Sequence, residues 1–221
     1  VRRDLEWLEK DGVLEKTHGG AILSQHLNIE PEYRQRAQHN PEAKHQIGAI
    51  ASSLIEKGDM VFINSGTTTT QVIHQIRNDA EISIFTNNFN AAHEMDAPGF
   101  HHYLVGGEYQ PRSKSLAGRF AMENLEQVYA NKVIIGVDGI SLKYGCTVPT
   151  NAEAEVIKKM IERTTGSIII VADHSKWGVV SNFQISAIDE IDVLITDEAF
   201  DKSAFKSLEK HSVKIMIAKE N

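Results

Sequence analysis

Residues 60–70, MVFINSGTTTT, decide the fold because they join an apolar strand pattern to a turn that leads straight into a helix. Outward from this stretch, strand and helix patterns alternate along the chain. The other strand-like runs are ISIFT, HHYLVGG, KVIIGVD, SIIIVAD, DVLITD and VKIMIA. This alternation predicts an α/β fold, with a largely parallel sheet and helices on both faces.

The turn inside this stretch is rich in hydroxyl groups. It consists of Asn64, Ser65, Gly66, Thr67, Thr68, Thr69 and Thr70. Open backbone N–H groups and the partial positive charge at a helix start favour a phosphate, and the hydroxyls add donors. Helix capping explains one hydroxyl but not the whole run. We therefore predict a phosphate-binding loop, which lacks the lysine of a Walker A motif and so argues against nucleotide hydrolysis.

Other strand ends also carry polar or glycine residues, and ligands of open α/β sheets bind beyond the carboxyl ends of strands. These residues are Thr86, Asn87 and Asn88; Gly106 and Gly107; Gly136, Val137, Asp138 and Gly139; and Asp173, His174, Ser175 and Lys176. The Asp138 carboxylate can accept hydrogen bonds from sugar hydroxyls, and Lys176 can bring positive charge to a phosphate. Structural alternatives stay open at each position: asparagines cap helices, glycine pairs and Asp138 form turns, and Asp173 caps one.

The first 23 residues have a different pattern from the rest. Leu5 and Leu8 have helical spacing, a break follows at residues 11–12, and the glycine pair of THGG predicts a tight hairpin. A helix followed by a small hairpin is typical of the second half of a winged helix-turn-helix, which binds DNA. Because the helical pattern is already present at Val1, we expect the chain to begin inside a helix and residues 1–221 to bind DNA poorly.

The expected DNA contacts are Arg2, Arg3, His18, Gly19 and Gly20. The arginines would touch phosphates or base edges, and glycines at the hairpin tip would let the backbone approach the DNA closely. Arg3 paired with a nearby acid on an exposed helix face is the alternative.

The stretch from residue 24 to residue 39 is polar, contains Pro31 and lacks a sustained apolar stripe, so it predicts a linker. This divides the chain into a DNA-binding part at 1–23, a linker at 24–39 and a second domain at 40–221. In that domain Asn40 is expected to cap a helix that begins at Pro41 and stops at Gly58.

Composition narrows the class of protein. The 221 residues are 41% hydrophobic and 24% charged, which is ordinary for a globular protein, and a net charge of −7 restricts any DNA contact to a local surface. Single Cys146 cannot form an intrachain disulfide and is expected to be a packing residue. No apolar run approaches the roughly 20 residues that cross a bilayer, so we expect a cytoplasmic protein without membrane contact. His101 and His102 point to opposite faces of a strand, and we expect no metal and no cofactor.

Together these motifs resemble the DeoR family of bacterial repressors. VRRDL, residues 1–5, resembles the end of that family's DNA-binding signature, and the rest resembles its sensor domain. The sensor motifs appear in order as INSGTTT, FTNN, VGGEY, LAGRFA, IGVDGI, GCT and DHSKWG. That sensor domain is similar in fold to ribose-5-phosphate isomerase, glucosamine-6-phosphate deaminase and the CoA-transferases.

The resemblance implies a repressor of sugar catabolism genes with a phosphorylated sugar as effector. It also implies operator DNA as a partner, read as repeated half-sites by a homodimer or homotetramer. By this carry-over the loop Ser65–Thr69 holds the phosphate. The sugar side would be lined by Thr86, Asn87, Gly107, Asp138 and Lys176.

A sugar-phosphate isomerase or deaminase is the alternative, because one fold hosts both functions. Enolising a sugar needs a positioned base and a second acid or a lysine. The isomerases that resemble this fold carry an acidic cluster and a lysine beside a glycine run, whereas VDGISLKYGCT has one acid, Asp138, and Lys143 nearby. We therefore expect binding without turnover. A scaffold protein with an empty pocket would not need so many polar strand ends.

Overall fold

The computed structural model describes residues 14–17, 20–23, 32–77, 81–94 and 99–219. The chain divides into two compact units, Val1–Pro31 and Glu32–Asn221. In the first unit, β1 (Leu14–Thr17) and β2 (Gly20–Leu23) form an antiparallel hairpin in which Thr17 lies opposite Gly20. This confirms the predicted hairpin. Of the expected DNA contacts, Gly20 begins β2, whereas Arg2, Arg3, His18 and Gly19 lie outside the described residues.

The second unit is built on a parallel sheet. Its strands in chain order are β3 (Met60–Ile63), β4 (Ser83–Thr86), β5 (His101–Leu104), β6 (Glu108–Gln110), β7 (Ser115–Ala117), β8 (Ala130–Gly136), β9 (Gly139–Ser141), β10 (Gly145–Val148), β11 (Thr164–Val171), β12 (Phe183–Ser186), β13 (Val193–Asp197) and β14 (Lys214–Ala218). The main sheet has the order β14-β13-β11-β8-β3-β4-β5, and all of its neighbours are parallel. Every strand of this sheet comes from one of the strand-like runs of the sequence.

Helices cover both faces of the sheet. They are α1 (Tyr33–Gln38), α2 (Pro41–Ser53), α3 (Thr67–His74), α4 (Phe89–Glu94), α5 (Arg119–Glu126), α6 (Asn151–Glu162) and α7 (Lys202–Glu209), with 3-10 turns at His174–Lys176 and Ile188–Glu190. Side chains of β8 alternate between two cores. Ile134 packs with residues of α2 and α3, while Val133 and Ile135 pack with those of α5, α6 and α7. The expected layered α/β fold is therefore confirmed.

The short antiparallel strands of the second unit were not predicted. β6 pairs with β7, and β12, β10 and β9 form a small sheet of their own. Each has only three or four residues, too few for a period-two pattern to stand out from the surrounding loops.

The structure also differs from the expected linker. Residues 33–38 form α1, and Tyr33 is only 7% exposed. The second unit thus begins at Glu32, upstream of the expected start at residue 40. A six-residue helix with one buried aromatic side chain has no apolar periodicity by which the sequence could reveal it.

Cys146 occupies the core, as expected for a packing residue. Its side chain is fully buried, and burial raises the pKa of the thiol to about 12. The thiolate that reacts with electrophiles and metals is therefore absent at neutral pH.

Gly145 offers a test of the small sheet. Its φ is +66°, and an added Cβ would lie 2.0 Å from the carbonyl oxygen of Ser186 in the neighbouring strand β12. Gly178 has a φ of +79° but no described atom within 4 Å of an added Cβ. Gly178→Ala should lower the free energy of unfolding by about 1 kcal/mol through backbone strain alone, and Gly145→Ala by about 3 kcal/mol or more. Urea denaturation of both variants checks this, and equal losses would contradict the packing described.

Candidate functional site

The candidate site lies at the carboxyl edge of the parallel sheet, where the chain reverses its direction across the sheet. From β3 the chain adds β4 and β5 on one side and then returns to place β8 on the other. Loops that leave adjacent strands in opposite directions open a crevice between them, and such switch points bind ligands in open α/β sheets. Here the loop after β3 and Asp138 after β8 flank that crevice.

Asn64 joins the two strands at this point. Its side-chain oxygen accepts the N–H of Gly136 at 2.8 Å, and its amide nitrogen donates to the Gly136 carbonyl at 3.0 Å. The side chain is 3% exposed and both of its polar ends are occupied. Asn64 therefore sets the spacing of β3 and β8 instead of presenting groups to a ligand.

The loop after Asn64 is held by hydrogen bonds within the loop and by one to Asn87. The carbonyl of Gly66 accepts the N–H of Thr70 and the hydroxyls of Thr69 and Thr70, at 3.0, 3.1 and 2.8 Å. Asn87 accepts the N–H of Ser65 at 2.8 Å. Two of the predicted hydroxyls, those of Thr69 and Thr70, are thus used by the loop itself.

The start of α3 remains open. Gly66 is its N-cap and no side chain caps the helix. Among the described residues the hydroxyls of Ser65, Thr67 and Thr68 form no hydrogen bond, although all three residues are 9% exposed or less. Uncapped N–H groups beside unused hydroxyls at a helix start make an anion-binding arrangement.

The polar residues after β4 brace this loop. Thr86 is fully buried and accepts the N–H of Asn88 at 3.0 Å, and Asn87 donates to the Leu116 carbonyl at 2.9 Å. Asn88 donates to the Thr70 hydroxyl at 2.8 Å and accepts the N–H of Ala91 at 3.0 Å. These side chains lie beside the loop, as their positions in the sequence suggested, but their polar groups are turned toward the protein.

Gly106 and Gly107 follow the edge strand β5 and have a packing role. Gly107 has a φ of +141°, and an added Cβ would lie 2.4 Å from the Ala117 carbonyl of β7. A Cβ on Gly106 would lie 3.2 Å from the side-chain nitrogen of Asn124. Close packing accounts for the pair without a ligand.

Asp138 lies between two cations at the rim of the site, the carboxyl edge of the sheet around the crevice between β3 and β8. Its carboxylate is 3.6 Å from the guanidinium of Arg36 and 4.0 Å from the ammonium of Lys176. The sequence indicated Asp138 and Lys176, and the structure brings them together. Arg36 was missed because it comes from α1, inside the predicted linker.

Asp173 anchors the start of the second unit to the end of β11. It is 2% exposed and accepts hydrogen bonds from the backbone and hydroxyl of Ser175 and, at 3.0 Å, from the Asn40 amide. Burial opposes ionisation, but these hydrogen bonds and the charge of Lys176 outweigh it and lower the pKa of Asp173. Asp173 does cap its turn. Asn40 makes no side-chain cap to α2; its backbone is left-handed, with a φ of 49°, and its side-chain nitrogen donates to Asp173.

Lys44 is a third cation near the rim, which the sequence did not indicate. It is 4% exposed and donates to the carbonyls of Arg36 and His39, which end α1. Burial lowers the pKa of Lys44 to about 8, against the opposing charge of Asp173, and the charges of Lys176 and Arg36 lower it further. Another negative charge in this region would relieve that repulsion.

Comparison with known proteins gives the class of this chain. Residues 1–26 match the model of the DeoR-like helix-turn-helix domain, and residues 39–198 match that of the DeoR C-terminal sensor domain. The transcriptional repressor GlcR of Bacillus subtilis (strain 168) is 34% identical over 100% of this chain and 85% of its own length. The putative aga operon transcriptional repressor of Escherichia coli O157:H7 is 30% identical over 100% of this chain and 82% of its own.

Two solved structures are similar to this chain at low sequence identity. The β subunit of eIF2B from Chaetomium thermophilum matches with a TM-score of 0.50 and 16% identity, over 70% of this chain and 48% of that one. Ribose 5-phosphate isomerase A from Methanocaldococcus jannaschii matches with a TM-score of 0.46 and 12% identity, over 62% of this chain and 55% of that one.

A DNA-binding domain followed by a sensor domain defines a transcription regulator. The chain belongs to the DeoR family, whose members named above are repressors. None of the helices in the described ranges is long and apolar enough to cross a membrane.

The buried Lys44 makes stability depend on pH in a defined direction. Its pKa in the folded protein, about 8, lies below its ordinary value of 10.5, so the unfolded chain binds more protons between these values. Stability therefore rises with pH there. Relative to Lys44→Met, the wild-type protein should gain about 3 kcal/mol of unfolding free energy across this window, as measured by urea denaturation at several pH values.

Lys132 supplies a matched control with the opposite sign. Burial opposes its charge, but its hydrogen bond and 2.7 Å ion pair with Asp59 outweigh that effect and raise the pKa of Lys132 above 10.5. The advantage of the wild-type protein over Lys132→Met should shrink as the pH rises through that pKa. If the difference in unfolding free energy from the wild-type protein changed with pH in the same way for both variants, Lys44 would not be held as described.

Proposed function

We propose that the second unit binds a phosphorylated sugar, and that this effector changes the affinity of the repressor for operator DNA. The observation that carries the proposal is the uncapped start of α3 at the switch point, together with the cations that pair with Asp138 at the end of the adjacent strand β8. The phosphate would lie on the N–H groups of Gly66, Thr67, Thr68 and Thr69, with the hydroxyls of Ser65, Thr67 and Thr68.

Charge favours an anion at this place. Among the described residues, the rim has three cations, from Arg36, Lys44 and Lys176, and two carboxylates, from Asp138 and Asp173. The helix start adds about half a positive charge. A phosphate dianion gains charge-assisted hydrogen bonds there, which are stronger than neutral ones.

The sugar would extend from the loop toward Asp138 and Lys176. A carboxylate accepts hydrogen bonds from sugar hydroxyls, and a lysine donates to hydroxyl oxygens. We assign no direct ligand contact to the side chains of Asn64, Asn87 and Asn88, because their hydrogen bonds hold the loop. They position the residues that bind.

Binding without turnover fits the chemistry of this rim. An isomerase needs a base placed beside the substrate and a partner for the oxyanion. Asp173 is enclosed by its hydrogen bonds, and Lys143 lies on the ring of Tyr144, with its ammonium 4.8 Å from the ring centre. Asp138 alone, held between two cations, is poorly suited to abstract a proton from carbon.

On the DNA side we propose that Arg2, Arg3, His18, Gly19 and Gly20 contact the operator. These positions fall in the region that matches the helix-turn-helix model. A homodimer or homotetramer would read repeated half-sites, and effector binding would shift the balance between DNA-binding and DNA-free arrangements, a coupling of about 1 to 3 kcal/mol.

Combining Thr67→Ala with Lys176→Ala in the full-length repressor tests the effector site. Loss of two contacts to a charged group should weaken sugar-phosphate binding about 100-fold while operator binding stays intact. Fluorescence anisotropy with operator DNA, with and without the sugar phosphate, measures both effects. Lys158→Ala, on the exposed face of α6, is the control and should respond normally. An unchanged response of the double variant would refute the site.

A thermal-shift screen of phosphorylated sugars, with a turnover assay on each hit, separates a sensor from an enzyme. At least one sugar phosphate should raise the melting temperature more than inorganic phosphate does, because it gains the contacts to Asp138 and Lys176. None should be converted. Isomerisation or deamination near a typical enzyme rate of about 10 per second would contradict the proposal.

A further inference from the structure

Helix α1 begins the second unit directly after the segment that leads from the DNA-binding region, and it is held at the rim of the site. Its first residue, Tyr33, is hydrogen-bonded to Thr70 in the first turn of α3, and Arg36 is paired with Asp138. Its final carbonyls are held by Lys44. Every one of these partners is part of, or adjacent to, the proposed effector site.

The hydrogen bonds of Tyr33 have one consistent direction. The Thr70 hydroxyl has a single proton, which it donates to the Gly66 carbonyl at 2.8 Å. In the 2.8 Å bond between the hydroxyls of Tyr33 and Thr70, Tyr33 must therefore be the donor. The Tyr33 oxygen in turn accepts from the Asn90 amide at 3.1 Å.

The chain of bonds extends behind α1. Asn90 accepts from the Lys114 ammonium at 2.8 Å, and Lys114 also lies 5.1 Å from the centre of the Tyr33 ring. Burial raises the pKa of Tyr33, which keeps its hydroxyl protonated as a donor. A directed series thus runs from Lys114 through Asn90, Tyr33 and Thr70 to the carbonyl of Gly66, and bonds in such a series polarise one another.

We propose that α1 transmits effector binding to the DNA-binding region. Arg36 contacts the bound sugar, and Tyr33 links α1 to the start of α3 through its hydrogen bond with Thr70. The inference rests on the proposed function and adds residues and a route to it. A phosphate that binds the N–H groups at the start of α3 polarises the Gly66 carbonyl, and the series transmits this change to Tyr33. A sugar hydroxyl that binds beside Asp138 also contacts Arg36, which lies one turn after Tyr33 in the same short helix.

The relay is tested with Tyr33→Phe in the full-length repressor, which keeps the packing of the ring and removes the hydroxyl. The probe is the phosphorylated sugar with the largest thermal shift in the screen above. Tyr33→Phe should reduce the probe-induced change in operator affinity by about fivefold, while the affinity for the probe changes by less than about twofold. Tyr103→Phe, an exposed tyrosine on the edge strand β5, is the matched control and should keep the full change.

The contact of Arg36 is tested with Arg36→Gln against Arg34→Gln, an exposed neighbour in the same helix. Arg36→Gln should weaken binding of the same sugar phosphate by about tenfold, with binding of inorganic phosphate nearly unchanged. Arg34→Gln should alter neither. An equal loss for both probes, or no loss for the sugar phosphate, would overturn the assignment of Arg36 to the sugar.

Amide hydrogen exchange of the wild-type protein gives a readout that needs no variant. Saturation with the same sugar phosphate should slow exchange over residues 33–38 by about threefold or more, at ionic strength matched with chloride. Unchanged exchange there, together with a full response of Tyr33→Phe, would overturn the proposal while leaving the effector site standing. If no sugar phosphate binds the wild-type protein, the proposed function fails as well.

Discussion

The carbonyl oxygen of Gly66 is the point on which the site depends. It accepts hydrogen bonds from the backbone and hydroxyl of Thr70 and from the hydroxyl of Thr69. Helix α3 begins directly after this peptide without a side-chain cap, and it follows β3 at the switch point between β3 and β8. Asn64 fixes the spacing of those strands and Asn87 fixes Ser65, so the loop holds its form before a ligand arrives. Such preorganisation lowers the entropy cost of binding.

Around this loop the fold assembles charge from distant parts of the chain. Arg36 and Lys44 come from the first helices, Asp138 from the end of β8 and Lys176 from the turn after β11. In a parallel sheet these ends meet at one edge, which explains why residues so far apart in sequence share one rim. Helix α1, the first helix of the second unit, lies at the same edge, where Arg36 pairs with Asp138.

The sequence carried enough information for the sheet, the hairpin and the central loop. Strand-like runs predicted all strands of the main sheet, and the hydroxyl-rich turn leads into α3 as predicted, with no side-chain cap. It did not reveal α1, because a helix of six residues with Tyr33 as its only buried side chain has no periodic signal. Nor did it separate the framework role of Asn64 and Asn87 from ligand contact, since amides at strand ends serve both and only their hydrogen-bond partners decide.

The most direct test of phosphate binding at the start of α3 is a titration with a phosphorylated sugar, monitored through the backbone amide resonances of the protein. The largest shifts should fall on Gly66, Thr67, Thr68 and Thr69, because their N–H groups would donate to the phosphate. Shifts that leave these amides unchanged and lie elsewhere on the chain would contradict phosphate binding there.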